Sequence, residues 1–82
     1  MTASCSIGVD FGTESGRVLL LDLESGEELA THVVRYPHGV LDRALPGTGA
    51  RLGPDWALQH PGDWMHVIET GVPAALAAAK VV

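Results

Sequence analysis

Ile7-Gly8-Val9-Asp10-Phe11-Gly12-Thr13-Glu14-Ser15-Gly16-Arg17-Val18-Leu19-Leu20-Leu21-Asp22 is the stretch that decides how the chain reads. An apolar run ends in a carboxylate, Asp10, and a tight turn with a glycine and two hydroxyl residues leads into a second apolar run. A buried strand is a stiff platform, so a polar group at its tip is held in place. Gly12 and Gly16 permit positive φ or a close backbone approach that a side chain would block. Backbone N–H groups and the Thr13 and Ser15 hydroxyls can then converge on a phosphate oxygen, while Asp10 can hold a hydrated Mg²⁺. Arg17 adds a charged fork suited to phosphate. The same residues also make an ordinary hairpin, in which an Asp beside Gly only turns the chain. Both readings stand at this point. Asp10-Phe11-Gly12 also spells the metal-binding tripeptide of protein kinases, but that arrangement needs a glycine-rich loop, a strand lysine and a catalytic loop upstream. Nine residues before Asp10 leave no room for them.

Outward from this stretch, the spacing predicts strands over about 5–11, 17–23 and 29–36. Val18 to Leu21 is too continuously apolar for a strand with one wet face and suits a strand covered on both sides. Glu24-Ser25-Gly26-Glu27 reads as a turn, and Thr31, Val33 and Val34 give the third strand its β-branched character. Pro37, Gly39, Pro46, Gly47, Gly49, Gly53 and Pro54 then punctuate a loop over 37–60, long enough to be functional or an insertion. Pro61 suits the first turn of a helix and Asp63 its positive end. Trp64, Met65, Val67, Ile68, Val72, Ala75, Leu76 and Ala79 follow at helical spacing, so a helix is expected over about 61–79 with a kink or break at Pro73. Trp56 and Trp64 read as core.

Eighty-two residues make at most one domain, with a core of marginal size. Ten acidic residues against five basic ones leave no basic stripe, which argues against nucleic acid as a partner. The single cysteine, Cys5, has no partner for an internal disulfide and reads as a small apolar strand residue. There is no basic, apolar leader and no run of membrane-spanning length, so a cytoplasmic chain without a membrane partner is expected. His32, His38, His60 and His66 never pair at the spacing of a zinc site. His38 reads as a turn residue, and Asp42 and Asp55 as solvated loop carboxylates. Three strands and one helix cover one face of a sheet, whereas the second strand asks for cover on both. The chain is therefore expected to be part of something larger, the alternative being a stand-alone, non-catalytic module that dimerises through its open face.

With these residues in view, the chain resembles the N-terminus of the FGGY family of carbohydrate kinases. The resemblance rests on Gly8 to Arg17, on Tyr36-Pro37-His38-Gly39, and on Pro54-Asp55-Trp56-Ala57-Leu58-Gln59-His60-Pro61, in that order and at compatible spacing. The first motif alone marks a superfamily; the three together are specific. Within the family the similarity is greatest to the kinases of L-ribulose. Kinases of ribitol, D-ribulose or xylulose are the nearest alternatives, which the loop 37–60 would discriminate.

The resemblance implies an α/β architecture, part of an actin-like ATPase domain of ribonuclease-H type. It also implies ATP-dependent phosphorylation of L-ribulose to L-ribulose 5-phosphate in L-arabinose breakdown, with ATP and Mg²⁺ as cofactors and the remainder of a kinase chain as partner. Asp10 matches the family's first-strand aspartate near Mg²⁺, which it would hold through water. Gly12, Thr13, Glu14, Ser15 and Arg17 match its phosphate-contacting turn. Glu14 departs from the commoner sugar and glycerol kinases, which carry a second threonine there, and an acidic side chain repels a triphosphate unless it faces metal or solvent. The family's loop before the first helix lies near the sugar, which makes Trp56, Ala57 and Gln59 the sugar-side candidates. Gln59 offers a donor and an acceptor to a polyol, or caps the helix. The family's catalytic aspartate and its adenosine clamp lie far beyond residue 82, so no catalytic base is expected here and the 82 residues alone are expected to be inactive.

Overall fold

The computed structural model describes residues 4–80. Strands β1 (Cys5–Phe11), β2 (Ser15–Asp22) and β3 (Glu28–Arg35) form an antiparallel meander in the order β1-β2-β3. Helix α1 (Pro61–Ala78) lies across β2 and β3. The architecture is thus mixed α/β, a three-stranded sheet carrying one helix on one face. β2 begins two residues earlier than its apolar run indicates, because Ser15 and Gly16 already pair with Arg35 and Val34. It ends at Asp22, leaving Leu23 exposed.

Period-two alternation sorts the strand residues. Val18 and Leu20 point at the helix and are 1% exposed, with Val34 beside them from β3. Fully burying an aliphatic side chain of this kind contributes roughly 1.5–3 kcal/mol. Leu19 and Leu21 point the other way and are half-buried, and no described element covers that face.

Two glycines set how closely the layers approach. A Cβ on Gly16 would stand 2.6 and 2.8 Å from the two methyls of Val67, and one on Gly71 would stand 2.6 Å from Val18 Cγ2. Each layer therefore receives the other's valine at a glycine. The helix stripe that faces the sheet is Asp63, Val67, Gly71 and Ala75. Trp64, Met65 and Ile68, which share the helical spacing, are exposed on the flank. The helix runs unbroken through Pro73.

The tryptophans correct the sequence expectation: Trp56 is 57% and Trp64 38% exposed, so neither is core. Apolar bulk alone does not reveal which side of a helix or loop meets the sheet. The segment 37–60 is not featureless either. It folds back on itself through a short ladder between β4 (Val40–Leu41) and β5 (Leu58–Gln59), with a further bridge between Ala44 and Arg51.

The helix is capped by His60, whose Nδ1 accepts from the Gly62 N–H at 2.9 Å, and Pro61 occupies the first turn, where its missing N–H leaves nothing unpaired. Gln59, the residue expected as an alternative cap, is turned elsewhere.

Candidate functional site

The β1–β2 turn is closed by a hydrogen bond from the Gly12 N–H to the Ser15 carbonyl at 2.9 Å. A Cβ on Gly12 would meet that carbonyl at 3.0 Å. Glycine serves here, as at Gly16, by permitting close approach; neither has positive φ. Asp10 and Arg17 stand opposite each other across the ladder, and Ser15 shares Arg17's face. That face is the one the helix leaves open.

Asp10, Gly12, Ser15, Arg17 and Val33 line an open cleft of about 220 Å³, and Asp10 and Arg17 also border a second trough with Gly8, Val9 and Leu19. Although directly opposed, Asp10 and Arg17 make no ion pair; the one charged contact among the described residues joins His38 to Asp63. A carboxylate, a guanidinium and a hydroxyl thus meet at one opening with their charges unspent. Such a set suits a hydrated divalent cation beside an anionic oxygen. Thr13 and Glu14 form the exposed tip of the turn and do not line the cleft.

The turn is held from behind. Gln59 Nε2 donates to the Gly12 carbonyl at 3.0 Å and to the Thr13 carbonyl at 3.1 Å, and the Tyr36 hydroxyl donates to the Gly12 carbonyl at 2.8 Å. Trp64 Nε1 donates to Gln59 Oε1 at 2.9 Å. An indole only donates, so it fixes which end of the amide faces the turn. Burial pushes the Tyr36 phenol above its ordinary range, and the charges of Asp63 and Asp10 push in the same direction.

A second cluster was not legible in the sequence. The Asp63 carboxylate accepts from the His38 N–H at 3.1 Å and from His38 Nδ1 at 2.6 Å, and the rings of His38 and His60 stack at 4.1 Å. Burial pushes the Asp63 carboxyl up, but the hydrogen bonds from His38, the charge of His38 and the bond from the Gly39 backbone outweigh it and hold the group below its ordinary range. These three side chains lie close enough for a metal, yet Asp63 and the His60 Nδ1 are already committed to His38 and the helix cap. His38 is therefore a tether between the end of β3 and the start of α1 rather than a free turn residue. Residues 25 apart in sequence give no local signal of such a pair.

The structure thus brings Asp10, Gly12, Ser15 and Arg17 to one cleft and sets Gln59 behind the same turn. Trp56 and Ala57 are exposed in the loop before β5, with the Trp56 ring against Gly53. A separate hollow of about 500 Å³, lined by Asp42, Arg43, Ala44, Arg51, Leu52, Gly53 and Pro54, contains none of the expected site residues.

No protein-family model matches the chain. Curated proteins do. The chain is 54% identical over 81 residues to a ribulokinase of Halalkalibacterium halodurans, covering 99% of the chain and 14% of that protein. It is 59% identical over 75 residues to the ribulokinases of Geobacillus thermodenitrificans and Anoxybacillus flavithermus, covering 92% of the chain and 13% of each. The chain therefore spans about one-seventh of the length of the relatives it matches. The resemblance read from the three motifs is borne out: over nearly its whole length the chain is similar to a part of the ribulokinases, consistent with an N-terminal part.

Proposed function

We propose that these residues form the phosphate-facing edge of an ATP-dependent kinase that converts L-ribulose to L-ribulose 5-phosphate in L-arabinose breakdown, in the cytoplasm. The observation that carries the reading is 53–59% identity to several ribulokinases over 92–99% of the chain. The cleft supports it. Phosphoryl transfer is chiefly positioning and charge stabilisation. In this reading Asp10 holds Mg²⁺ through water, and Arg17 and the Ser15 hydroxyl bind phosphate oxygens. Thr13 contributes at the turn tip, where Glu14 faces solvent or metal. When bound, Mg²⁺ would neutralise charge on the phosphates.

The remaining polypeptide would supply the catalytic base, the adenosine clamp and cover for the open sheet face, completing an actin-like ATPase domain. Trp56 and Ala57 stay as sugar-side candidates, and the 82 residues alone do not turn over.

The test is ATP turnover by the full-length chain with L-ribulose, ribitol, D-ribulose and xylulose compared in parallel. Preference for L-ribulose is the expected result. Equal or better turnover of another polyol or ketose would move the assignment within the family, and ribulose-dependent hydrolysis by residues 1–82 alone would overturn the division of labour.

A further inference from the structure

We infer that Gln59 and Tyr36 are positioning residues for the phosphate turn, aiming and polarising the Thr13 and Glu14 N–H groups toward an anion. The inference rests on the proposed phosphate role of that turn and assigns a function to residues behind it. Three hydrogen bonds from two side chains converge on two consecutive carbonyls: Tyr36 Oη and Gln59 Nε2 on Gly12, and Gln59 Nε2 again on Thr13. Each peptide unit is conjugated, so a donor on its oxygen draws electron density from its nitrogen and strengthens the N–H on the far side. The Gly12 carbonyl is conjugated to the Thr13 N–H, and the Thr13 carbonyl to the Glu14 N–H.

Those two N–H groups have no hydrogen-bond partner among the described residues, and they belong to the exposed tip of the turn. The turn's other backbone groups are spent: the Gly12 N–H is bonded to the Ser15 carbonyl, and the Glu14 carbonyl accepts from the Tyr36 N–H at 3.0 Å. With its carbonyls pinned from one side, the turn presents its free donors to the other.

Gln59 suits this task where Glu would not. One amide nitrogen carries two protons, enough for two adjacent carbonyls, and its oxygen is held by Trp64 Nε1 at 2.9 Å. The residue expected on the sugar side therefore acts on the nucleotide side.

The experiment uses the full-length chain, with Gln59→Glu, Tyr36→Phe and the double variant beside wild type. Calorimetric binding of a non-hydrolysable ATP analogue with Mg²⁺, the KM for ATP, the KM for L-ribulose and the Tm are measured for each. A lost hydrogen bond of ordinary strength predicts nucleotide binding weakened roughly three- to tenfold in Tyr36→Phe, and by more in Gln59→Glu, which loses two such bonds. The KM for L-ribulose should change less than nucleotide binding, since the partners lost are the turn carbonyls of Gly12 and Thr13 and not the sugar-side candidates Trp56 and Ala57. The double variant should be non-additive, because both donors share the Gly12 carbonyl. Unchanged nucleotide binding in both single variants, or equal losses for ATP and L-ribulose with a fallen Tm, would overturn the positioning role while leaving the kinase reading intact. If Gln59→Glu fails to fold, Tyr36→Phe alone decides, since it removes one hydroxyl and keeps the ring. Failure of wild type to bind the analogue would overturn the phosphate site and the positioning role together.

Discussion

His38 Nδ1 donates to Asp63 Oδ1 at 2.6 Å, and the carboxylate it serves is only 1% exposed. Asp63 sits in the first turn of α1 and His38 just beyond β3, so this bond pins the helix start to the sheet. An ionised buried carboxylate is tolerated because its hydrogen bonds outweigh its desolvation. Its folded-state pKa lies below the ordinary 3.8, so its contribution is present above that value and is lost as pH falls through the lower folded-state value. Denaturant midpoints measured from pH 7 down to about pH 2 should show this acid limb, which begins near the ordinary value and continues below it. Asp63→Asn should flatten it and remove about 1–3 kcal/mol at neutral pH.

The paired glycines predict an ordering. Gly16→Ala drives a Cβ into both methyls of Val67, so no rotamer of that stiff side chain escapes it. Gly71→Ala meets one methyl of Val18 and gains about 1 kcal/mol of helix propensity in return. Overpacking of this kind costs about 1–3 kcal/mol. Gly16→Ala should therefore destabilise more than Gly71→Ala in chemical denaturation. Val18→Ala should be less harmful in the Gly71→Ala background than alone.

Tyr36 is the only tyrosine of the chain, which makes its ionisation directly visible in the near-ultraviolet spectrum of residues 1–82. Burial and the charges of Asp63 and Asp10 raise its pKa above the ordinary 10.0. The midpoint should lie above that of free tyrosine and return to it in denaturant. Because the folded state holds the proton longer, stability is full below pH 10 and declines as pH rises toward the folded-state value. Tyr36→Phe should remove that alkaline decline.

Asp10→Asn keeps the shape of the side chain and removes its charge at the cleft. In the full-length chain, Mg²⁺-dependent turnover should fall on the order of a hundredfold, the size of a lost charge-stabilising group, while the Tm changes little. A variant with wild-type turnover and an unchanged Mg²⁺ requirement would remove Asp10 from the metal site.

Trp56→Ala should leave stability within about 0.5 kcal/mol, as for other exposed positions without a buried partner. A core tryptophan would cost about 3–5 kcal/mol on the same change. Thermal unfolding of the two proteins separates these values cleanly.

How much of this could be read in advance differs by element. The meander was legible because strand signals are local: apolar runs, β-branched residues and glycine turns lie next to one another in sequence. The helix was legible through Pro61, Asp63 and apolar spacing, although that spacing could not say that Trp64 and Ile68 lie outside the stripe that Asp63, Val67, Gly71 and Ala75 turn to the sheet. The pairing inside 37–60 was missed because two-residue strands leave almost no periodicity.

Sequence alone was enough for the order of strands and helix, for the likeness to the ribulokinases, and for the placing of Asp10, Ser15 and Arg17 around one β-turn. Neighbours in a hairpin have little freedom to be anywhere else. That Gln59 and Tyr36 stand behind that turn, that His38 tethers Asp63, and that Gly16 and Gly71 set the distance between layers emerges only in three dimensions. Each of those contacts joins residues tens of positions apart, and such a contact exists only once the chain has folded back on itself.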